Sequence, residues 1–123
     1  MGHGVDGRAV APARLDLASA KAVSATLQAL ATPSRLLILG RLREGPATVG
    51  ELTEAVQMEQ SAVSQQLRLL RNLGLVEGVR QGRSVVYSLY DNHVAQLLDE
   101  AVYHAEHLRL GVPDEPPSAA SRA

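Results

Sequence analysis

A mainly α-helical fold carrying one small β-hairpin is what this sequence predicts, and three observations predict it. Apolar residues recur at helical spacing through successive stretches as far as Leu73. After Gly74 the period falls to 2, and after Tyr90 it returns to about 3.6. The chain has three Tyr and neither Phe nor Trp, so its core must be built from Leu, Val and Ala, which suits helices better than a β-sandwich.

The elements follow in order. Residues 1–15 mix Gly, Pro and Ala without periodicity and read as a flexible arm. Asp16 is placed to cap a first helix with Ala20, Val23, Leu27 and Leu30 on one face. Thr32-Pro33 is a helix start, an N-cap residue followed by Pro at the first helical position. The helix it opens stops at Gly45-Pro46. Thr48 and Glu51 form a capping box for a short third helix ending near Val56. A fourth helix carries Val63, Leu67, Leu70 and Leu73 on one stripe and ends at Gly74. Leu75–Val79 and Ser84–Tyr90 read as two strands joined by a polar turn, Arg80-Gln81-Gly82-Arg83. Val94, Leu97, Leu98, Ala101, Val102, Ala105 and Leu108 mark a long last helix over residues 92–110. Residues 111–123 form a Pro/Ser/Ala tail, expected to be disordered. One domain, residues 16–110, stands between arm and tail.

Composition narrows the function. With 123 residues and 46% hydrophobic content the chain is one globular domain. So few large side chains limit what a single subunit can bury, which predicts a dimer with a shared core. There is no Cys, so disulfides, thiolate metal sites and a Cys nucleophile are excluded. The longest aliphatic run is Leu36-Leu37-Ile38-Leu39, too short for a membrane span, and no secretory signal is present. A myristoylation signal fails because Asp6 stands where Ser or Thr is needed. The expected location is cytoplasmic. Residues 1–90 carry ten basic against seven acidic groups, whereas residues 91–123 carry two against six and three of the four His.

Helix, short helix, turn, helix and Arg-tipped hairpin is the order of a winged helix-turn-helix. A helix entering the major groove needs short polar side chains at its leading end to reach base edges. Gln60, Ser61, Ser64 and Gln65 meet that need and project away from the Val63/Leu67/Leu70 stripe. Arg68 and Arg71 lie further along, suited to phosphate. Arg80 and Arg83 flank Gly82 on the wing. A Gln- and Ser-bearing helix face is usually just solvated, and the Arg-tipped hairpin that follows directly is what favours double-stranded DNA as partner.

The acidic end holds a second constellation. Asp91 and His93 are separated by one residue, His104 and His107 by two, and ten residues lie between the pairs. His104 and His107 are i, i+3 on a helix and share a face. His93 and His104 also share a face, after about 1,100° of rotation, yet stand about 16 Å apart along the axis. Metal–nitrogen bonds are about 2.0–2.1 Å, so one helix cannot bring both pairs to one ion. Two antiparallel copies can. A two-fold axis near residue 99 sets Asp91 and His93 of one subunit beside His104 and His107 of the other, generating two equivalent sites. Nitrogen and oxygen donors without sulfur suit Zn(II), Ni(II) and Co(II). Four ligands satisfy tetrahedral zinc, whereas octahedral nickel or cobalt wants more. The Gly2 amine and His3 imidazole form a chelating pair that can supply them if Met1 is removed, and Met1-Gly2-His3 offers another if it stays. The alternative leaves His3 idle in the arm. A zinc hydrolase is a third reading, but beyond Glu100 and Glu106 no general base is available. A winged-helix regulator with a non-metal signal is a fourth.

ALATPSRLLIL (29–39), EQSAVSQQLRLLRNLGLV (59–76) and GRSVVYSLYD (82–91) together resemble the ArsR/SmtB family of metal-sensing repressors over roughly residues 20–110. The resemblance implies a homodimeric repressor whose long last helix lies at the dimer interface. It implies that the metal-free dimer binds operator DNA and leaves it when metal binds, freeing a metal-efflux gene. The pattern Asp91-x-His93, ten residues, His104-x-x-His107 is similar to the last-helix metal site of that family. With MGHG at the start and LDEAVYHAEHL near the end, it resembles nickel- and cobalt-sensing members, which implies an arm that folds over to complete a six-coordinate site. Two departures stand out. Many relatives carry His in the recognition helix where this chain has Gln65-Gln66. Thiol-based sensors carry Cys in the third helix, where Thr48–Thr53 has none, so this chain is not a sensor of that kind.

Overall fold

Each helix but one begins where a side chain satisfies N–H groups left free in its first turn. A computed structural model of the chain describes residues 14–111. Helix α1 (Leu17–Ala29) is capped by Asp16, whose carboxylate accepts from the Ser19 N–H at 2.8 Å while the Ser19 hydroxyl accepts from the Asp16 N–H at 3.0 Å. These bonds, that from the Ser19 N–H foremost, hold the Asp16 carboxyl below its ordinary range. Helix α2 (Pro33–Arg43) has Pro33 in its first turn and the Thr32 hydroxyl accepting from the Arg35 N–H at 3.3 Å. Strand β1 (Ala47–Thr48) leads directly into α3 (Val49–Val56). Here Glu51 Oε1 accepts from the Thr48 N–H at 2.9 Å and Thr48 Oγ1 from the Glu51 N–H at 3.2 Å, closing the expected box. Helix α4 (Gln60–Asn72) is the exception: Glu59 at its N-cap makes no side-chain hydrogen bond there. Its end is well made. Gly74 takes φ +75, its N–H donates to the Arg71 carbonyl, and the Leu75 N–H donates to the Leu70 carbonyl, the paired closure a left-handed glycine permits.

Strands β2 (Val76–Gln81) and β3 (Ser84–Leu89) pair antiparallel, with Val76 opposite Leu89 and Gln81 opposite Ser84. Two expectations need correction. Arg80 and Gln81 belong to β2, because Arg80 pairs with Val85 and Gln81 with Ser84, and the loop is Gly82-Arg83 alone. Gly82, at φ +64, takes the first position of this two-residue turn. The hairpin is also part of a three-stranded sheet, order β1-β3-β2, in which Ala47 lies opposite Tyr87. Helix α5 (Asn92–Leu110) follows and ends at Gly111, again left-handed.

The core gathers Ile38, Leu39 and Leu42 of α2, Leu52 of α3, Val63, Leu67 and Leu70 of α4, Leu75 and Val76 at the start of the hairpin, and Val94 and Leu98 of α5. Leu73, expected on the α4 stripe, is exposed at the helix end. The α1 face departs most. Val23 is 44% and Leu27 50% exposed, because within one chain nothing covers them and Ala29 alone on α1 is buried.

Gly78 fixes how closely the wing strands lie. A Cβ built there would stand 2.9 Å from both Tyr87 Cε1 and Val85 Cγ1. Gly78→Ala is therefore expected to lower unfolding free energy by about 1–3 kcal/mol, the usual cost of forcing extra volume into a filled space. Urea denaturation checks this; a variant as stable as the parent would show that the Tyr87 ring swings aside freely.

Candidate functional site

Helices α3 and α4, joined by Gln57-Met58-Glu59, form the helix-turn-helix. Gln57 takes φ 56 in that turn. The buried stripe Val63/Leu67/Leu70 seats α4 against the core, which turns its other side outward. Gln60, Ser61, Gln65, Arg68 and Arg71 are exposed, and Ser64 is half-buried. Arg80 and Arg83 are exposed along and at the tip of the wing. One molecule thus offers short polar groups on a protruding helix and cations on a neighbouring hairpin. The first can reach base edges and the second phosphates or the minor groove.

The adjacent Gln66 behaves differently. It is half-buried, and its Oε1 accepts from Arg35 Nε at 2.8 Å, tying α4 to α2. A second tie joins α2 to α5. Arg43 donates to Asp99 through Nε at 3.0 Å and Nη2 at 2.8 Å. The Arg43 hydrogen bonds hold the Asp99 carboxyl below its ordinary range, and Asp99 raises the Arg43 guanidinium in turn. Sequence reading missed both ties.

The acidic constellation lies on and just before α5. Asp91 is the N-cap: Oδ1 accepts from the Val94 N–H at 3.2 Å. Its other oxygen, Oδ2, lies 3.5 Å from His93 Nδ1. One carboxylate therefore caps the helix with one oxygen and forms, with the 81% exposed His93, an open oxygen–nitrogen donor pair with the other. The cap was legible in the sequence, since Asp before an apolar periodic run is a helix-start signal. His104 is exposed in the outer half of α5, and His107 is half-buried with its ring centroid 4.1 Å from that of Tyr103. Among the described residues no three His, Asp or Glu side chains of one chain converge as a metal site. Each chain holds two pairs of candidate donors, candidate half-sets at opposite ends of α5. The donor types, imidazole and carboxylate, fit borderline divalent ions. Gly2 and His3 lie outside the described residues.

Apolar side chains around these half-sets are uncovered. Val102 is 62%, Tyr103 53%, Leu108 70% and Leu110 57% exposed on α5, and Leu17 is 72% exposed on α1. A groove of about 650 Å³ runs between α2 and α5, lined by Leu36, Gly40, Leu98, Ala101, Val102 and Ala105 among others. Among the described residues no single helix is long and apolar enough to cross a membrane.

A helix-turn-helix seated on the core by one stripe, with an exposed polar face on its second helix and an Arg-tipped wing beside it, defines a winged-helix, DNA-binding transcriptional regulator. The family model for bacterial regulatory proteins of the arsR family matches residues 32–78. The HTH-type transcriptional regulator NmtR of Mycobacterium tuberculosis is 68% identical over 119 residues, 97% of this chain and 99% of that protein. The HTH-type transcriptional repressor SmtB of the same species is 46% identical over 79 residues, 64% of this chain and 58% of that one. The solution structure of apo-NmtR superposes with a TM-score of 0.69, covering 96% of this chain and 99% of the other at 68% identity. The homodimeric winged helix-turn-helix DNA-binding domain of Mb0332 from Mycobacterium bovis does so with a TM-score of 0.70 at 31% identity, covering 73% and 83%. The chain belongs to the arsR family of bacterial regulatory proteins.

Asp91 offers a prediction specific to its double placement. Asp91→Asn keeps a capping oxygen but removes the charge, so stability should hold; under the metal-site reading proposed below, metal affinity should drop. Asp91→Ala should lose both, with the cap worth about 1 kcal/mol. Thermal unfolding and metal titration of the two variants check this; equal stability would place Asp91 outside the cap.

Proposed function

We propose that the protein is a cytoplasmic, metal-responsive repressor that holds its operator as a metal-free homodimer and releases it when Ni(II) or Co(II) binds between the last helices. The observation that carries this reading is the division of α5. Asp91 with His93 stands at one end and His104 with His107 toward the other, on a helix whose outer half is exposed and partly apolar. Antiparallel pairing of two such helices covers the apolar faces and joins each half-set to its complement. Asp91 and His93 of one protomer and two imidazoles of its partner would hold the ion, with the Gly2 amine and the His3 imidazole as further ligands toward six-coordination. Bound metal supplies a cross-link between the two α5 helices. With α5 so fixed, the two α4 helices, which need to lie about one DNA turn apart, are held in a spacing the operator accepts less well. Metal and DNA binding then oppose each other reciprocally. The regulated gene encodes a metal exporter in this reading. That the relatives are transcriptional regulators supports a regulator over an enzyme.

A zinc sensor is the second reading, favoured by the number of donors on α5 and Asp91, four, which is what tetrahedral zinc takes. Fluorescence anisotropy of the full chain on its own promoter DNA, at one fixed salt concentration, tests both. Tight metal-free binding relieved by nickel and cobalt, with zinc weak, is the expected result. Release by zinc instead selects the four-ligand site. Binding indifferent to all three metals overturns the sensor and leaves a winged-helix regulator with another signal.

A further inference from the structure

Helix α2 is attached at both ends to the parts that the proposed function must connect. At its C-terminal end Arg43 grips Asp99 of α5 with a two-pronged hydrogen bond, 3.0 and 2.8 Å. Two parallel N–H···O bonds fix direction as well as distance. Asp99 lies between His93 and His104, in the stretch of α5 that separates the two half-sets. At the N-terminal end of α2, Arg35 Nε donates to Gln66 Oε1 of α4 at 2.8 Å, and Arg35 Nη1 reaches the Gln28 carbonyl at the end of α1 at 3.5 Å. Gln66 directly follows Gln65, so its tether joins α2 to the helix that carries the DNA-facing residues. Between the two clasps Ile38, Leu39 and Leu42 are buried. A helix so packed moves as a body, because close-packed cores transmit displacement and do not absorb it.

We propose that α2 is the coupling element between the metal helix and the reading helix, with Arg43–Asp99 and Arg35–Gln66 as its two polar clasps. This rests on the metal-responsive reading above. The residues are positioning residues: they act by fixing α5 and α4 to one rigid body. Both members of the Arg43–Asp99 pair are about half-exposed, so the pair adds little to folding and is free to serve coupling.

The test measures operator affinity of the full chain with and without saturating nickel, cobalt or zinc, and metal affinity separately, in five proteins. These are the parent, Asp99→Asn, Gln66→Ala, the double variant of those two, and the charge exchange at Arg43 and Asp99, with thermal unfolding confirming that each folds. The parent ratio of metal-free to metal-bound affinity should lie within the usual range of about 5- to 150-fold. Each single variant should lower that ratio at least about threefold while metal-free operator affinity and metal affinity stay within about twofold of the parent. Clasps in series should not add, so the double variant should resemble the worse single one. The charge exchange Arg43→Asp with Asp99→Arg should restore the ratio, which a merely structural loss would not. Parental ratios in the variants overturn the proposal, as does an equal fall in metal-free and metal-bound affinity. A parent that responds to none of the three metals overturns the metal-responsive reading, and the coupling role with it.

Discussion

His104→Ala is expected to abolish release from the operator by metal while leaving metal-free operator binding unchanged. His104 is exposed in the outer half of α5 and stands apart from the buried core. Replacing it with the best helix former should not weaken the helix. In the proposed arrangement two-fold symmetry makes the loss double, since one substitution removes an imidazole from each shared site. Loss of a group that merely supports a ligand costs a site about 10- to 100-fold in metal affinity, and loss of a ligand should exceed that. Calorimetric titration with nickel, cobalt and zinc should show the weakened binding, and anisotropy should show the variant still seated on DNA at metal concentrations that release the parent. A variant that lets go of DNA as the parent does would remove His104 from the site.

Much of the fold was legible because its signals are local. Asp16, Thr32-Pro33 and the Thr48/Glu51 pair each announce a helix within four residues, and all three act as caps in the structure. The stripe Val63/Leu67/Leu70 is buried as its spacing requires. What escaped was non-local. Strand β1 has two residues, too few for any pattern, and is defined by its partner in β3. Arg80 and Gln81 look like turn residues by composition, yet an exposed wing asks for no apolar side chains there and the ladder runs on. Gln66 and Asp99 are ordinary polar residues in sequence, and their partners Arg35 and Arg43 lie 31 and 56 residues away. The candidate metal set was legible as a register along one helix, because i, i+3 and i, i+11 relations are fixed by helical geometry alone. The second task of Asp91, capping the helix it precedes, follows the same local rule: its carboxylate accepts from the Val94 N–H.

Val102→Arg should leave a folded monomer that binds neither operator nor metal tightly. Val102 is 62% exposed beside the groove between α2 and α5, and it packs into no buried cluster of its own chain, so the fold itself should tolerate the change. In an antiparallel pair of α5 helices, by contrast, it lies on the apolar face that the second chain covers. A fully buried Val is worth about 1.5–3 kcal/mol, and each dimer contains it twice. An unpaired guanidinium there adds the further cost of burying a charge. Sedimentation velocity should therefore shift from dimer to monomer. Joined half-sites gain about 10²- to 10⁴-fold from simultaneous engagement, and a monomer forfeits that gain on a two-fold operator. Metal affinity should fall together with it, because Asp91 and His93 of one chain can no longer meet His104 and His107 of another. The coincidence of the two losses is what distinguishes this arrangement. A variant that stays dimeric would move the interface off this face of α5. One that becomes monomeric yet keeps the parental metal affinity would mean that a single chain completes the site without the opposite half-set.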